Sequence, residues 1–163
     1  MNNRGNQMRV VTKALLKKIA ACDDGTKYAV KSLLGKSYSD AIRQCIADDQ
    51  LQWANWGIVR VMDGTERVKY AIYAAKQVLK IFEDKYPNDK RPREAINAVE
   101  RWVNAPNEKN NADAANAANE AYAAANDTYA DANAANAAAD VRIKMLKYGI
   151  LLLDKQNKDK TND

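Results

Sequence analysis

Apolar residues recur at helical intervals along most of this chain. The clearest run is Val68, Ile72, Ala75, Leu79, Phe82 and Tyr86, where alternating four- and three-residue steps hold one stripe in register and call for a partner helix. Thr65 is placed to cap that helix and Pro87 to end it. Upstream, Met8, Val11, Leu15 and Ile19 predict a first helix to Ala21, ended by Asp23-Asp24-Gly25-Thr26. A short helix from Lys27 to Leu34 stops at Gly35, and Ser37 or Ser39 caps a third through Ile42 and Ile46. Asp48-Asp49 is expected to cap a fourth, Gln50 to Met62, carrying Leu51, Trp53, Trp56 and Val59. Asp89-Lys90-Arg91-Pro92 opens another with Ile96, Val99, Trp102 and Val103 on its buried side, closed by Ala105-Pro106.

From Asn111 to Asp140 the pattern changes to alanine and asparagine, with no glycine or proline. Alanine is the best helix former, and its methyl group lets helix backbones approach closely, so the segment reads as a tight helical hairpin. Its first arm carries a small-residue seam at Ala114, Ala118, Ala121 and Ala125, and Asn126-Asp127-Thr128 supplies the turn. The second arm keeps a heptad-like register through Ala134, Ala138, Val141, Met145, Tyr148 and Leu152, and the polar tail from Gln156 is expected to fray. A weak echo joins Asp24-Gly25-Thr26-Lys27-Tyr28-Ala29 to Asp63-Gly64-Thr65 and Lys69-Tyr70-Ala71, which shared turn chemistry explains without a repeat. The expected fold is an all-α, single-domain bundle of about seven to eight helices in antiparallel pairs. It spans residues 1–157, with N-terminal helices over 8–64, and a frayed tail over 158–163.

Composition narrows the chemistry. Histidine is absent from all 163 residues, which removes the commonest general base, the commonest metal ligand and every Ser-His or Cys-His pairing. Leu34-Gly35-Lys36-Ser37 imitates the end of a phosphate-binding loop, but Val30 stands where that loop needs its first glycine. Asp23-Asp24 and Asp48-Asp49 are isolated acid pairs that read as helix caps and dipole partners rather than metal ligands. No catalytic residue, cofactor or metal is assigned. Cys22 and Cys45 read as buried, reduced thiols. Without an apolar leader or a membrane-length apolar run, a soluble cytoplasmic protein with no membrane contact is the expectation. The net charge of +5 is uneven: residues 107–141 carry one basic and six acidic side chains, an acidic band on a basic body. The basic balance keeps nucleic acid open as a partner and disfavours a DNA mimic. Trp53 and Trp56, one turn apart, serve either as packing residues or as binding anchors.

The stretch from Tyr70 through Leu79, Phe82 and Glu83 into Pro87, Asp89, Arg91, Pro92, Arg93, Ala95, Ile96 and Trp102 resembles the immunity-protein-5-like family. There a helix ending in Leu-x-x-Phe-Glu is followed by Pro, Asp, Arg-Pro-Arg, Ala-Ile and Trp, then by an alanine-rich helical hairpin. The resemblance covers residues 66–155. Asparagine takes the polar places that histidine and arginine often hold in that family, so any contact relying on those histidines is not available here. The resemblance implies a non-catalytic protein that neutralises a toxin or immune effector by covering its working surface, as an immunity-type or phage anti-defence inhibitor. The alternative is a phage-encoded inhibitor of a nucleic-acid-guided nuclease that competes for nucleic acid through its basic surface. Asp89, Arg91 and Arg93 form either an exposed charged rim for an acidic partner or a cap with its bracing ion pairs. Alanine seams suit pairing between chains as well as within one, so homodimer and monomer are both open.

Overall fold

The computed structural model describes residues 9–107, 109 and 135–159. The described chain is all-α, with helices α1 (Lys13–Lys18), α2 (Asp23–Ser32), α3 (Tyr38–Ala47), α4 (Leu51–Val61), α5 (Gly64–Lys85), α6 (Arg91–Asn104) and α7 (Ala135–Asp159). Its contacts divide it into two compact units, one of residues 1–63 with 142–163 and the other of residues 64–141. The expected first arm and turn of the Ala/Asn hairpin lie outside the described residues.

In the first unit the N-terminal segment departs from the predicted helix beginning at Met8. Val10 bridges Ser37, while Val11 N–H donates to Lys36 O at 2.9 Å and Gly35 N–H to Val11 O at 2.9 Å. Those backbone groups are spent on the α2–α3 turn and cannot enter a helical ladder. Gly35, at φ +78°, supplies the left-handed conformation that the turn needs. Helix α1 therefore starts only after Thr12, whose Oγ1 accepts from Leu15 N–H at 3.0 Å.

The next boundary is also corrected. Asp23-Asp24-Gly25-Thr26 does not end α1 but forms the first turn of α2, where Asp23 and Asp24 meet the positive end of the helix dipole. The chain turns earlier, at Ala20, which takes φ +54°. Ser37 caps α3 as expected, accepting from Asp40 N–H at 3.1 Å. Asp48 and Asp49 do not cap α4: Asp48 is the C-cap of α3, Asp49 sits at φ +56°, and α4 follows Gln50, which makes no side-chain cap. Cys45 is buried as expected, but Cys22 is exposed; both are free thiols.

α3 packs on α4. Ile42, Cys45, Ala54 and Ile58 are buried in this unit, as are Leu146, Ile150 and Leu153 of α7. Ile58 and Leu146 are wholly removed from solvent, each such burial contributing roughly 1.5–3 kcal/mol. On α7 the buried stripe is broader than the predicted one: Leu152 is buried as expected, but Leu146, Ile150 and Leu153 are inside as well, Met145 and Tyr148 are half-buried, and Leu151 is 65% exposed. The helix also continues past Gln156, which is itself buried, so the tail does not fray there. Arg43 ties α3 to this helix through Asp154 at 2.8 Å.

In the second unit α5 packs on α6. Leu79 and Phe82 are buried as the α5 pattern requires, and so is Tyr70, which lies off the predicted stripe. Tyr86 falls one residue beyond the helix and is partly exposed. On α6 the buried face is Pro92, Ala95, Ile96 and Ala98, with Val99, Trp102 and Val103 half-buried.

Candidate functional site

Helices α1 to α4 line a partly open cavity of about 390 Å³ within the first unit. α1 contributes Leu15 and Leu16, followed by Ile19 just past its end; α2 gives Gly25, Tyr28 and Ala29; α3 gives Ala41 and Ile42; α4 gives Trp53, Trp56, Gly57 and Val61. The wall is therefore mostly aliphatic and aromatic, as in cavities that take up apolar groups.

The start of α2 shapes one side. Cys22 is the N-cap, and its Sγ accepts from Gly25 N–H at 3.4 Å. A Cβ on Gly25 would stand 3.2 Å from that sulfur, tighter than an ordinary contact, while 3.8 Å from Trp53 Nε1 would be normal van der Waals packing, so glycine leaves room for the capping thiol. Opposite, the Tyr28 ring leans on Trp53 with centroids 5.2 Å apart, and its hydroxyl donates to Asp48 Oδ2 at 2.9 Å. Burial, reinforced by that hydrogen bond, holds the Tyr28 hydroxyl well above the ordinary tyrosine range. Burial likewise pushes the Cys45 thiol up. The Arg60 guanidinium lies 4.0 Å from the Trp56 ring centroid and donates to Trp56 O at 2.9 Å.

Trp53 and Trp56 are both half-buried, so each ring is packed on one side and reachable from solvent on the other. Among the described residues neither indole N–H has a hydrogen-bond acceptor, which leaves each ring an apolar face and an available donor. The sequence did not single out Tyr28, Cys22 or Ile19 as site residues. The faint signal was Tyr28 within the Asp-Gly-Thr-Lys-Tyr-Ala echo, which gives no hint of a cavity.

The charged trio belongs to the second unit. Asp89 accepts from the backbone N–H of Arg91 at 3.1 Å and from its guanidinium Nε at 2.9 Å, although Lys90 rather than Asp89 occupies the N-cap position. Arg93 reaches back to α5 and grips Glu83, with Nε to Oε1 at 2.6 Å. These arginines hold the Asp89 carboxyl at about 2 and lower that of Glu83. Arg91 and Arg93 thus already hold carboxylates within their own chain. Among the described residues no group of three or more Cys, Asp or Glu is placed to hold a metal ion, and no helix is long and apolar enough to cross a membrane.

What the described residues define is an all-helical protein with an apolar and aromatic hollow among its first four helices. The family model of the Imm-5 like putative immunity protein matches residues 59–142, and the chain belongs to that family. The match begins ahead of the stretch that carried the resemblance and ends short of it, and it contains the Asp89 to Ile96 segment. Membership points to toxin neutralisation through binding of a protein. No curated relative and no solved structure matches the chain. Of the cavity-lining residues, only Val61 falls inside the matched span.

Proposed function

We propose that this chain is a non-catalytic inhibitor that neutralises a toxin or immune effector by covering its working surface, as an immunity-type or phage anti-defence protein acting in the cytoplasm. Family membership carries the reading. The half-buried Trp53 and Trp56 support it, because aromatic side chains at the edge of an apolar hollow are the usual energetic centres of protein interfaces. Asp89, Arg91 and Arg93, which belong to the second unit, gain contacts with a partner only by exchanging intramolecular partners for intermolecular ones, which limits what each contact adds.

Co-expression with the effector captured from the source cell or from phage-infected cells is the test. Growth is expected to be restored, with a complex that survives high salt; an effector that stays toxic sinks the reading. A second reading, competition for nucleic acid, draws support from the exposed Lys144, Lys147 and Lys155 of α7. It requires binding that collapses steeply as salt rises.

A further inference from the structure

We infer that the outer face of α7, built by Lys144, Lys147, Leu151 and Lys155, is a docking ridge for an acidic helix of a protein partner, whose carboxylates pair with the lysines around one apolar side chain set against Leu151. The inference rests on the reading of the chain as a protein-binding inhibitor and adds the chemistry of what it grips. These four side chains are all exposed and follow one another at steps of three, four and four residues. On a helix that spacing keeps them on one face, over about 16 Å of its length. Leu146, Ile150 and Leu153 of the same helix are buried in the first unit, so the core fixes which way the ridge points.

Charge sets the sign of the partner. From residue 142 to 158 the helix carries Arg142, Lys144, Lys147, Lys155 and Lys158 against one acid, Asp154, and that acid is taken by Arg43 of α3 at 2.8 Å. Arg43 also holds Asp40 of α3, at 2.9 Å. Among the described residues Lys144, Lys147 and Lys155 form no ion pair, while Lys158, which continues the stripe, is already engaged within the chain. Asp140, one turn before Lys144, closes the stripe at its N-terminal end. Like charges on successive turns repel one another, and a facing row of carboxylates relieves that repulsion. The ridge therefore draws an acidic helix in and rejects a basic one.

Leu151 decides the class of partner. At 65% exposure it is the most exposed large apolar side chain among the described residues, and lysines stand on both sides of it along the helix. Lysine stems are aliphatic, so the ridge offers an apolar centre bordered by ammonium groups. An apolar side chain closing over Leu151 removes that surface from water, which is a gain only a protein partner supplies. Nucleic acid would satisfy the lysines and leave Leu151 wet. The family match ends at residue 142, so the contact is one that the matched region does not supply.

The test pans a library of helix-forming peptides against the full chain and measures the selected peptides by fluorescence anisotropy at physiological salt. The expected peptides carry Asp or Glu at three- and four-residue spacing around one Leu, Met or Phe. Leu151→Ser should weaken them about tenfold, and Lys144→Glu/Lys147→Glu/Lys155→Glu should abolish binding. Peptides whose acids are replaced by lysine should then bind that reversed variant and not the native chain. All four positions are exposed, so the variants are expected to keep the native thermal midpoint.

A consensus without acids, binding indifferent to either variant, failure of the charge-swapped peptides on the reversed chain, or displacement of the peptides by duplex DNA or single-stranded RNA would each overturn the inference. So would self-association of the free chain that the same substitutions abolish, because a second copy would then own the ridge. A chain whose peptide contact fails but which still neutralises its effector loses this site and keeps its proposed function. One that binds the peptides but neutralises nothing loses the function and keeps the site.

Discussion

Tyr28 and Trp53 meet with ring centroids 5.2 Å apart and planes tilted by 36°, joining α2 to α4 along one wall of the cavity. Tilted aromatic pairs of this kind contribute about 0.5–1.5 kcal/mol beyond the area they bury. The contact makes the cavity wall part of the folded core rather than a loose surface.

Trp53→Ala should therefore cost stability as well as binding. Loss of the ring and its contact with Tyr28 is expected to lower unfolding free energy by roughly 2–3 kcal/mol, below the upper end for a fully buried tryptophan because this one is half-buried. The urea midpoint should fall more for Trp53→Ala than for Trp56→Ala, whose ring packs against the exposed Arg60.

Tyr28→Phe isolates the hydroxyl. The ring contact persists, the hydrogen bond to Asp48 is lost, and the expected cost is about 1 kcal/mol in chemical denaturation.

Alkaline stability should report on Tyr70. Burial raises its hydroxyl from 10.0 to about 12, so between those values the unfolded chain releases a proton that the folded chain keeps. Folding is then penalised progressively as pH rises through this window. Tyr70→Phe should flatten the fall in the thermal midpoint between pH 10 and 12; an unchanged slope would show that Tyr70 does not couple folding to pH.

Acid has the opposite sign at the α5–α6 ion pairs. Glu83 and Asp89 are held below their ordinary values of 4.5 and 3.8 by Arg93 and Arg91, so their contribution is complete above those values and is lost as pH falls toward about 2. Glu83→Gln should reduce the pH slope of stability below pH 4.5 and lower the midpoint at neutral pH by the matching small amount, since the exposed Arg93 side of the pair is screened by solvent.

Backbone strain offers a stabilising change. Ala20 holds φ +54°, a region that costs a residue with a Cβ roughly 1 kcal/mol. Ala20→Gly should recover part of this, about 0.5 kcal/mol after the greater freedom of the unfolded glycine is counted. Gly35→Ala, at φ +78°, should lose about 1 kcal/mol. Thermal melts of the two variants should move in opposite directions.

The sequence by itself determined helix type and much of the helix punctuation, because three- and four-residue apolar spacing, Ser37, Gly35 and Pro87 act through local backbone chemistry. It also carried the family, since the Asp89 to Ile96 segment lies on one continuous stretch. Tertiary structure decided which side of each helix is inside. Along Met145 to Leu153 apolar residues occupy several faces, so only packing could add Leu146, Ile150 and Leu153 to the expected Leu152 and leave Leu151 out. It shortened α1 as well, by pairing Val10 with Ser37 across a turn that local propensity cannot foresee. The cavity was illegible for the same reason. Ile19, Gly25, Tyr28 and Trp56 come from separate segments, and a space between helices exists only once those helices have been brought together.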